Sequence, residues 1–443
     1  MLKFLSLKCD PISQPAANDL VERRTWCSLR VKAGSRFASR LWDKTLEEER
    51  EALDVPAFPL AEWIIQNWWS LLNELCPWES VPRNPRIDAE WLSWTRRHCL
   101  RSADSSLFLP KIFLYNDGRD LRTEWHADLP GSMPNMPGEF VSDGVEQLDP
   151  QATEASLALF VNHTLGRVKD LPDDRVNQVA AQWRVIQNAD VEERDFCILA
   201  GRMGVDPYHQ DEMSEDLARF FEETLTSANE PLVRDLTEVA RPESVVAQWL
   251  WVEGVTRDLE LGPCTTTLPF ELPSKTLPPP DYGYQLAREV RAAAALGFEP
   301  LRSVVDAANL AIQGIFRTED RNHIPGQGIK AIVGQSGSGA IIAAGPRNPH
   351  PYNQRFTDAR NVFHALATSR ESQRLVTDAN SWDQKASRAF AAEFLAPQQA
   401  LINRLSRSTA DPLTVRSLSK EFQASTYVIQ RQLENAGVAL SFD

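Results

Sequence analysis

The sequence predicts an α+β fold built from several domains, and three features of it carry that expectation. Strand-like alternation around a turn tripeptide sits among helical stretches in the first 150 residues. Helical periodicity then runs from about residue 151 to 262. A proline-rich stretch precedes a mainly helical last third that carries short apolar strands. The chain of 443 residues, 42% hydrophobic, is long enough for more than one core. The expected parts are 1–150, mixed α/β and tryptophan-rich; 151–262, helical; 263–282, a Pro-rich linker; and 283–443, mainly helical with a small sheet.

In chain order, Cys27 to Val31 reads as a strand. Leu60, Trp63, Ile64, Trp68, Leu71, Leu72 and Leu75 fall at helical spacing, with Pro59 suited to a first turn, so one helix is expected there. A second spans Asp88 to Leu100, with Trp91, Trp94 and His98 on one side. Lys111 to Trp125 reads as a hairpin: Ile112 and Leu114 alternate on one arm, Leu121, Thr123 and Trp125 on the other, and Asn116-Asp117-Gly118 turns between them. Nine of the thirteen tryptophans lie in the first 125 residues, and the helical spacing of Trp63, Trp68, Trp91 and Trp94 favours an aromatic core over a binding platform. Asp128 to Glu139, with Pro130, Gly131, Pro134, Pro137 and Gly138, is a break or a long loop.

Helices follow at 155–161, 176–187, 192–203, 217–225 and 245–255, with a turn at Asp206-Pro207-Tyr208. Gly262 to Pro280 holds six prolines and little periodicity, and so reads as extended. Gly334 to Gly339 lacks the Lys-Ser/Thr ending of a phosphate loop and fits a hairpin between Ile332 and Ile341. Near the end, Asp411 suits an N-cap with Pro412 behind it. Leu418 and Phe422, then Val428, Ile429 and Leu433, form the inner faces of a helix-turn-helix-like pair. Arg416, Lys420 and Arg431 are its candidate contacts to DNA or another partner.

Charge is unevenly spread. From residue 283 onward there are 18 Lys+Arg against 14 Asp+Glu, leaving 29 against 47 before it, so the back is mildly basic without a concentrated stripe. The six cysteines show no CxxC spacing, which points to reduced core thiols rather than a disulfide framework or cysteine zinc site. His98-Cys99 is the one tempting nucleophile pair, but neighbours on a helix point about 100° apart. No run of 18 apolar residues occurs and the N-terminus lacks the pattern of a signal peptide, so a cytoplasmic protein with no membrane segment is expected.

The most informative stretch is Arg355-Phe356-Thr357-Asp358-Ala359-Arg360-Asn361-Val362-Phe363-His364. In an HExxH helix two histidines four apart hold zinc and flank a glutamate that deprotonates the metal-bound water. Arg360, Asn361 and His364 stand in those three places. With Phe390-Ala391-Ala392-Glu393-Phe394-Leu395-Ala396-Pro397 downstream, and Ala287, Arg291, Leu296, Gly297 and Pro300 upstream, residues 283–443 resemble the ImmA/IrrE-type metallo-endopeptidases. The resemblance implies an acidic ligand just before the Phe-Ala pair, where this chain has Gln384, Lys385 and Ala386, with Asp383 the only acid nearby. A guanidinium at Arg360 opposes a dication there.

No catalytic residue, metal or cofactor is therefore expected, and Arg360, Asn361, His364 and Glu393 line the former site. A substitute metal site would need His350, His323 or Asp358, the last about 240° around the helix from His364. Another reading pairs Arg360 with Glu393 across the vacated space. The function that follows from the resemblance is a non-catalytic regulator or adaptor with a protein partner, in bacterial phage defence, toxin–antitoxin or prophage control. The alternatives are a zinc endopeptidase with relocated ligands and a DNA-binding regulator using the final helices.

Overall fold

The computed structural model describes residues 2–13, 17–131, 135–209, 213–227, 230–264, 268–321, 324–367, 373–405 and 409–441. The chain is multidomain α+β and divides into two compact units, Met1–Ala228 and Asn229–Asp443. That division falls inside the helical stretch read from the sequence as 151–262.

The first unit opens with β1 (Leu5–Pro11), α1 (Leu20–Thr25), β2 (Trp26–Ala33), β3 (Arg36–Phe37), β4 (Leu41–Asp43), β5 (Glu48–Arg50) and β6 (Leu53–Pro56). Strands β1, β3 and β6 all pair antiparallel with β2. The alternation in β2 turns Cys27, Leu29, Val31 and Ala33 into the core. Two helices, α2 (Phe58–Gln66) and α3 (Trp68–Asn73), replace the single one expected over 60–75. The break is at Asn67 (φ −112°, ψ 15°), whose amide donates to the Trp63 carbonyl at 2.8 Å; short amide side chains compete for backbone groups in this way.

Next come α4 (Ala89–His98), capped by Asp88, and the expected hairpin, β7 (Lys111–Asn116) and β8 (Leu121–His126), which turns through Gly118 at φ 92°. The strands β9 (Gly138–Phe140) and β10 (Gly144–Leu148) pair with β4 and β8. The proline-rich stretch at 128–139 thus leads into a strand of the same unit; Pro134 lies outside the described residues.

Four helices complete this unit: α5 (Pro150–Val168), α6 (Asp174–Asn188), α7 (Val191–Arg202) and α8 (Glu215–Thr224). Each starts behind a side-chain cap, from Asp149, Asp173, Asp190 and Ser214 in turn. Leu157, Phe160, Val179 and Trp183 join Leu29, Leu60 and Trp68 in one buried cluster, so residue 150 is not an edge between cores. An amphipathic helix must bury its apolar face somewhere: α5 uses β1 and α2, α6 uses α2, α7 uses α3, and α8 packs on α7. Trp63, Trp68 and Trp94 are core residues, and Trp68 meets Trp183 edge-on.

The second unit begins with α9 (Pro231–Thr237) and α10 (Val245–Asp258). The segment expected as a linker is extended but packed. Gly262 exchanges two backbone hydrogen bonds with Gln335, Cys264 is buried, and Leu268, Phe270 and Leu277 lean on the core. Beyond it lie α11 (Pro279–Ala293), α12 (Val304–Ile312), β11 (Phe316–Asp320), β12 (Ile329–Gln335), β13 (Ile341–Gly345), α13 (Pro351–Ala367), β14 (Arg374–Thr377) and α14 (Trp382–Leu395). The unit ends with α15 (Gln398–Arg404), β15 (Thr409–Ala410), α16 (Pro412–Phe422), α17 (Thr426–Asn435) and β16 (Ala439–Leu440).

The main sheet runs β11-β13-β12-β14, with β11 parallel to β13 and the other pairs antiparallel. Residues 336–340 make the β12–β13 turn, with Gly334 and Gln335 already paired in β12. Helix α11 packs so closely on α14 that a Cβ at Gly283 would run into the Ala386 carbonyl. Phe363, Phe390 and Phe394 fill the space between α13 and α14.

Candidate functional site

The sequence-predicted positions lie on α13 and α14, beside the edge strand β14. Arg360 and His364 are one turn apart on α13 and almost wholly buried, at 4% and 1% exposure. The Arg360 Nε donates to Ser387 Oγ at 3.0 Å, and its Nη2 to the Thr377 carbonyl at 2.6 Å and to Gln384 Oε1 at 2.7 Å. None of these acceptors is a carboxylate. Burial, with the Arg388 cation adding to it, pushes Arg360 down to about 9, which still leaves a cation at neutral pH.

Gln384 is the hub. Its Oε1 also receives the Thr377 N–H at 3.1 Å and meets His364 Nε2 at 3.2 Å, while its Nε2 donates to the Leu375 carbonyl at 2.8 Å. An oxygen that accepts from a guanidinium and a backbone amide can only accept from the imidazole as well, so the proton of His364 sits on Nε2. Burial, followed by the nearby Arg374 and Arg360 cations, holds His364 well below the usual histidine range, and the ring is neutral. Its Nε2 faces an amide oxygen and carries a proton, the reverse of a metal-ligating nitrogen.

Asn361, at the position where the resemblance would place a general base, is buried, and its Oδ1 has no hydrogen-bond partner among the described residues. An amide cannot take a proton from water in any case.

The structure contradicts the pairing of Arg360 with Glu393. Glu393 accepts from Arg288 at 2.9 Å, from Gln432 Nε2 at 2.9 Å and from the Gln398 N–H at 3.0 Å, which caps α15. Nine residues along a helix are about 180° of rotation, so Gln384 and Glu393 face opposite ways on α14. The Arg291 of the upstream pattern clamps the carbonyls of Gly297, Glu299 and Phe394, and burial lowers it to about 10.

A second buried guanidinium lies beside the first. Arg374 on β14 binds Asp235 of α9 through two bonds of 2.7 and 2.9 Å and reaches Asp383 at 2.8 Å; Arg234 stands 3.6 Å from the same Asp383 oxygen. Burial would raise Asp383, but Arg374 and Arg234 outweigh it and hold the carboxyl at about 2. Burial works against the charge of Arg374 too, yet Asp235 and Asp383 push it above the ordinary arginine value.

The two clusters together close the free edge of β14. The Leu375 N–H donates to Asp235 at 3.0 Å, Gln384 takes the Leu375 carbonyl and the Thr377 N–H, and Arg360 takes the Thr377 carbonyl. An edge strand normally leaves such groups open to another chain.

The candidate substitute ligands are not assembled at this site. Asp358 accepts from Gln354 at 2.8 Å and burial raises it, His350 is exposed just before α13, and His323 lies outside the described residues. Among the described residues no group of three or more His, Cys, Asp or Glu side chains is placed to hold a metal ion. His98 and Cys99 point apart as well: His98 lies between the Leu114 carbonyl and Glu74, and burial raises the Cys99 thiol to about 11.

At the C-terminus Asp411 caps α16 as expected, accepting from the Thr414 N–H at 2.7 Å. Arg416 and Lys420 are exposed one turn apart on α16, whereas Arg431 on α17 is engaged by Glu434 and Tyr427. No helix among the described residues is long and apolar enough to cross a membrane.

Asp235, Arg374 and Gln384 are the site residues that sequence reading missed. Asp235 and Arg374 are 139 positions apart, and Gln384 looked only like the lack of an acid. No protein-family model matches the chain, and no curated protein matches it significantly.

Proposed function

We propose that residues 283–443 are an ImmA/IrrE-like scaffold whose metal chemistry has been replaced by a buried hydrogen-bond cluster, and that the chain acts as a non-catalytic, protein-binding regulator or adaptor. The observation that supports this reading is the Arg360–Gln384–His364 cluster: a cation, an amide and a neutral imidazole bonded to one another where two ligands and an acid would converge on zinc. With Asn361 at the base position, no group there activates water. The closed edge of β14 further implies a partner that docks through side-chain surfaces rather than by adding a strand there. A setting in bacterial phage defence, toxin–antitoxin or prophage control rests on the resemblance alone.

Metal analysis of the chain purified without chelator is the direct test, and zinc far below one per chain is expected. Stoichiometric zinc together with chelator-sensitive peptide cleavage would overturn the proposal. The triple variant Arg360→His, Asn361→Glu, Gln384→Glu reinstates the ligand pair, base and acid, and should retain zinc if the scaffold reading holds. The binding half is tested by whether the intact chain copurifies a protein from its own cells and keeps it in the presence of chelator.

A further inference from the structure

Cys9 and Cys27 are eighteen residues apart, with nothing in their spacing to join them. The β1–β2 register brings them together. Cys9 stands opposite Leu29 and Cys27 opposite Pro11, so the two are diagonal neighbours on the core-facing side of the same antiparallel pair. Their sulfurs are 2.7 Å apart, about 0.7 Å more than the ~2.0 Å of a disulfide bond. Cys9 is half-buried and Cys27 wholly buried.

A cation lies beside them. Arg167 of α5 donates through Nη2 to the Trp26 carbonyl at 3.4 Å, next to Cys27 in the chain, and its Nη1 is buried without a partner. A neighbouring guanidinium favours a thiolate, whereas an apolar setting opposes one. The Cys27 thiol is held above its ordinary value, first by its hydrogen bond to Cys9 and then by burial, with Arg167 opposing them. Cys27 directs its proton at Cys9, and Cys9, half-buried where Cys27 is wholly buried, is the sulfur that an incoming disulfide reaches first. By contrast, burial alone pushes Cys264 up to about 12.

We infer that Cys9 and Cys27 form a reversible intrachain disulfide by exchange with a small-molecule disulfide. The Cys9 thiolate attacks one sulfur of that disulfide and expels the other as a thiolate, leaving a mixed disulfide on Cys9. Cys27 then loses its proton, attacks the Cys9 sulfur and expels the second thiolate. The two protein thiols are oxidised, the small disulfide is reduced to two thiols, and the protons of Cys9 and Cys27 leave on them.

The test is to equilibrate the intact chain with oxidised glutathione, block free thiols after denaturation, and map the cysteines by mass spectrometry. The expected result is four free thiols in place of the six of the reduced chain, with one crosslinked peptide pair joining Cys9 to Cys27. Dithiothreitol should restore all six, and the first unfolding transition of the oxidised form should lie roughly 6–12 °C above that of the reduced form. Cys9→Ser and Cys27→Ala should each abolish the crosslink, while Cys264→Ser leaves it. Six free thiols after oxidation, or a crosslink between other cysteines, would overturn the inference; the mapping uses the unaltered chain, so it does not depend on a variant folding.

Discussion

Two buried arginines lie beside one short strand and are stabilised in opposite ways. Arg374 has two carboxylates, Asp235 and Asp383, and its positive charge is reinforced. Arg360 has two oxygens of neutral side chains and a backbone carbonyl, and burial drives it down to about 9. The difference shows that a guanidinium can serve as a charge or as a set of directed donors. Here Arg374 is a charge that fastens α9 to the sheet, and Arg360 is a donor set that joins α14 to the end of β14.

The contrast breaks most visibly at Asp235. Asp235→Ala should cost about 3–5 kcal/mol in chemical denaturation, because it strips a buried arginine of its main partner and opens the Leu375 N–H. Arg374→Met should cost a similar amount, since it strands two carboxylates. Equal, small losses for both would mean the pair is not the fastener described.

A smaller effect is expected at the neutral cluster. Arg360→Met removes three hydrogen bonds but also a desolvated charge, so a loss of about 1–3 kcal/mol is expected, below that of Arg374→Met. If the order were reversed, Arg360 would have to be paired with an acid.

Acid titration sharpens the comparison further. His364 is neutral when folded and has the ordinary value of about 6.5 when unfolded, so the unfolded chain gains a proton that the folded chain refuses. Its contribution is present above pH ~6.5 and lost below it, with a slope of up to ~1.4 kcal/mol per pH unit; His364→Gln should lack that slope. Asp383, held at about 2, contributes above the ~3.9 of an unfolded aspartate and loses that contribution as pH falls toward 2. Urea midpoints between pH 8 and 3, for each variant against the parent chain, separate the two steps.

The smallest effect belongs to α16. Arg416 and Lys420 are exposed, and Arg416→Ala and Lys420→Ala should leave the urea midpoint unchanged. The same pair is the place to look for nucleic-acid affinity: binding that weakens in the double variant and falls steeply with salt would favour a DNA-reading role for the final helices.

What was legible in the sequence was local. The 111–125 hairpin, the Asp411 cap and the glycine-rich hairpin between Ile332 and Ile341 follow from residues within a few positions of one another, and each lies where its pattern put it. The α2–α3 break was hidden because Leu60 to Leu75 keeps helical periodicity through Asn67; only the amide's bond to Trp63 reveals the kink. The missing parts of the candidate site are long-range. Nothing near Asp235 marks it as a partner of β14, and the proline-rich stretch between them suggested separation rather than a shared core. Glu393 misled because it is four residues short of Pro397 in a recognisable string, while the turn of the helix aims it elsewhere.

Gln384 is shared by Arg360, His364, the Leu375 carbonyl and the Thr377 N–H, and that sharing couples the history of these positions. A change at one leaves unmet donors or acceptors at the rest, so substitutions there should be inherited as sets and rarely singly. Divergent descendants of this chain should carry the arginine, the glutamine and the histidine together or replace all three, which makes a reversal one position at a time a path through less stable intermediates.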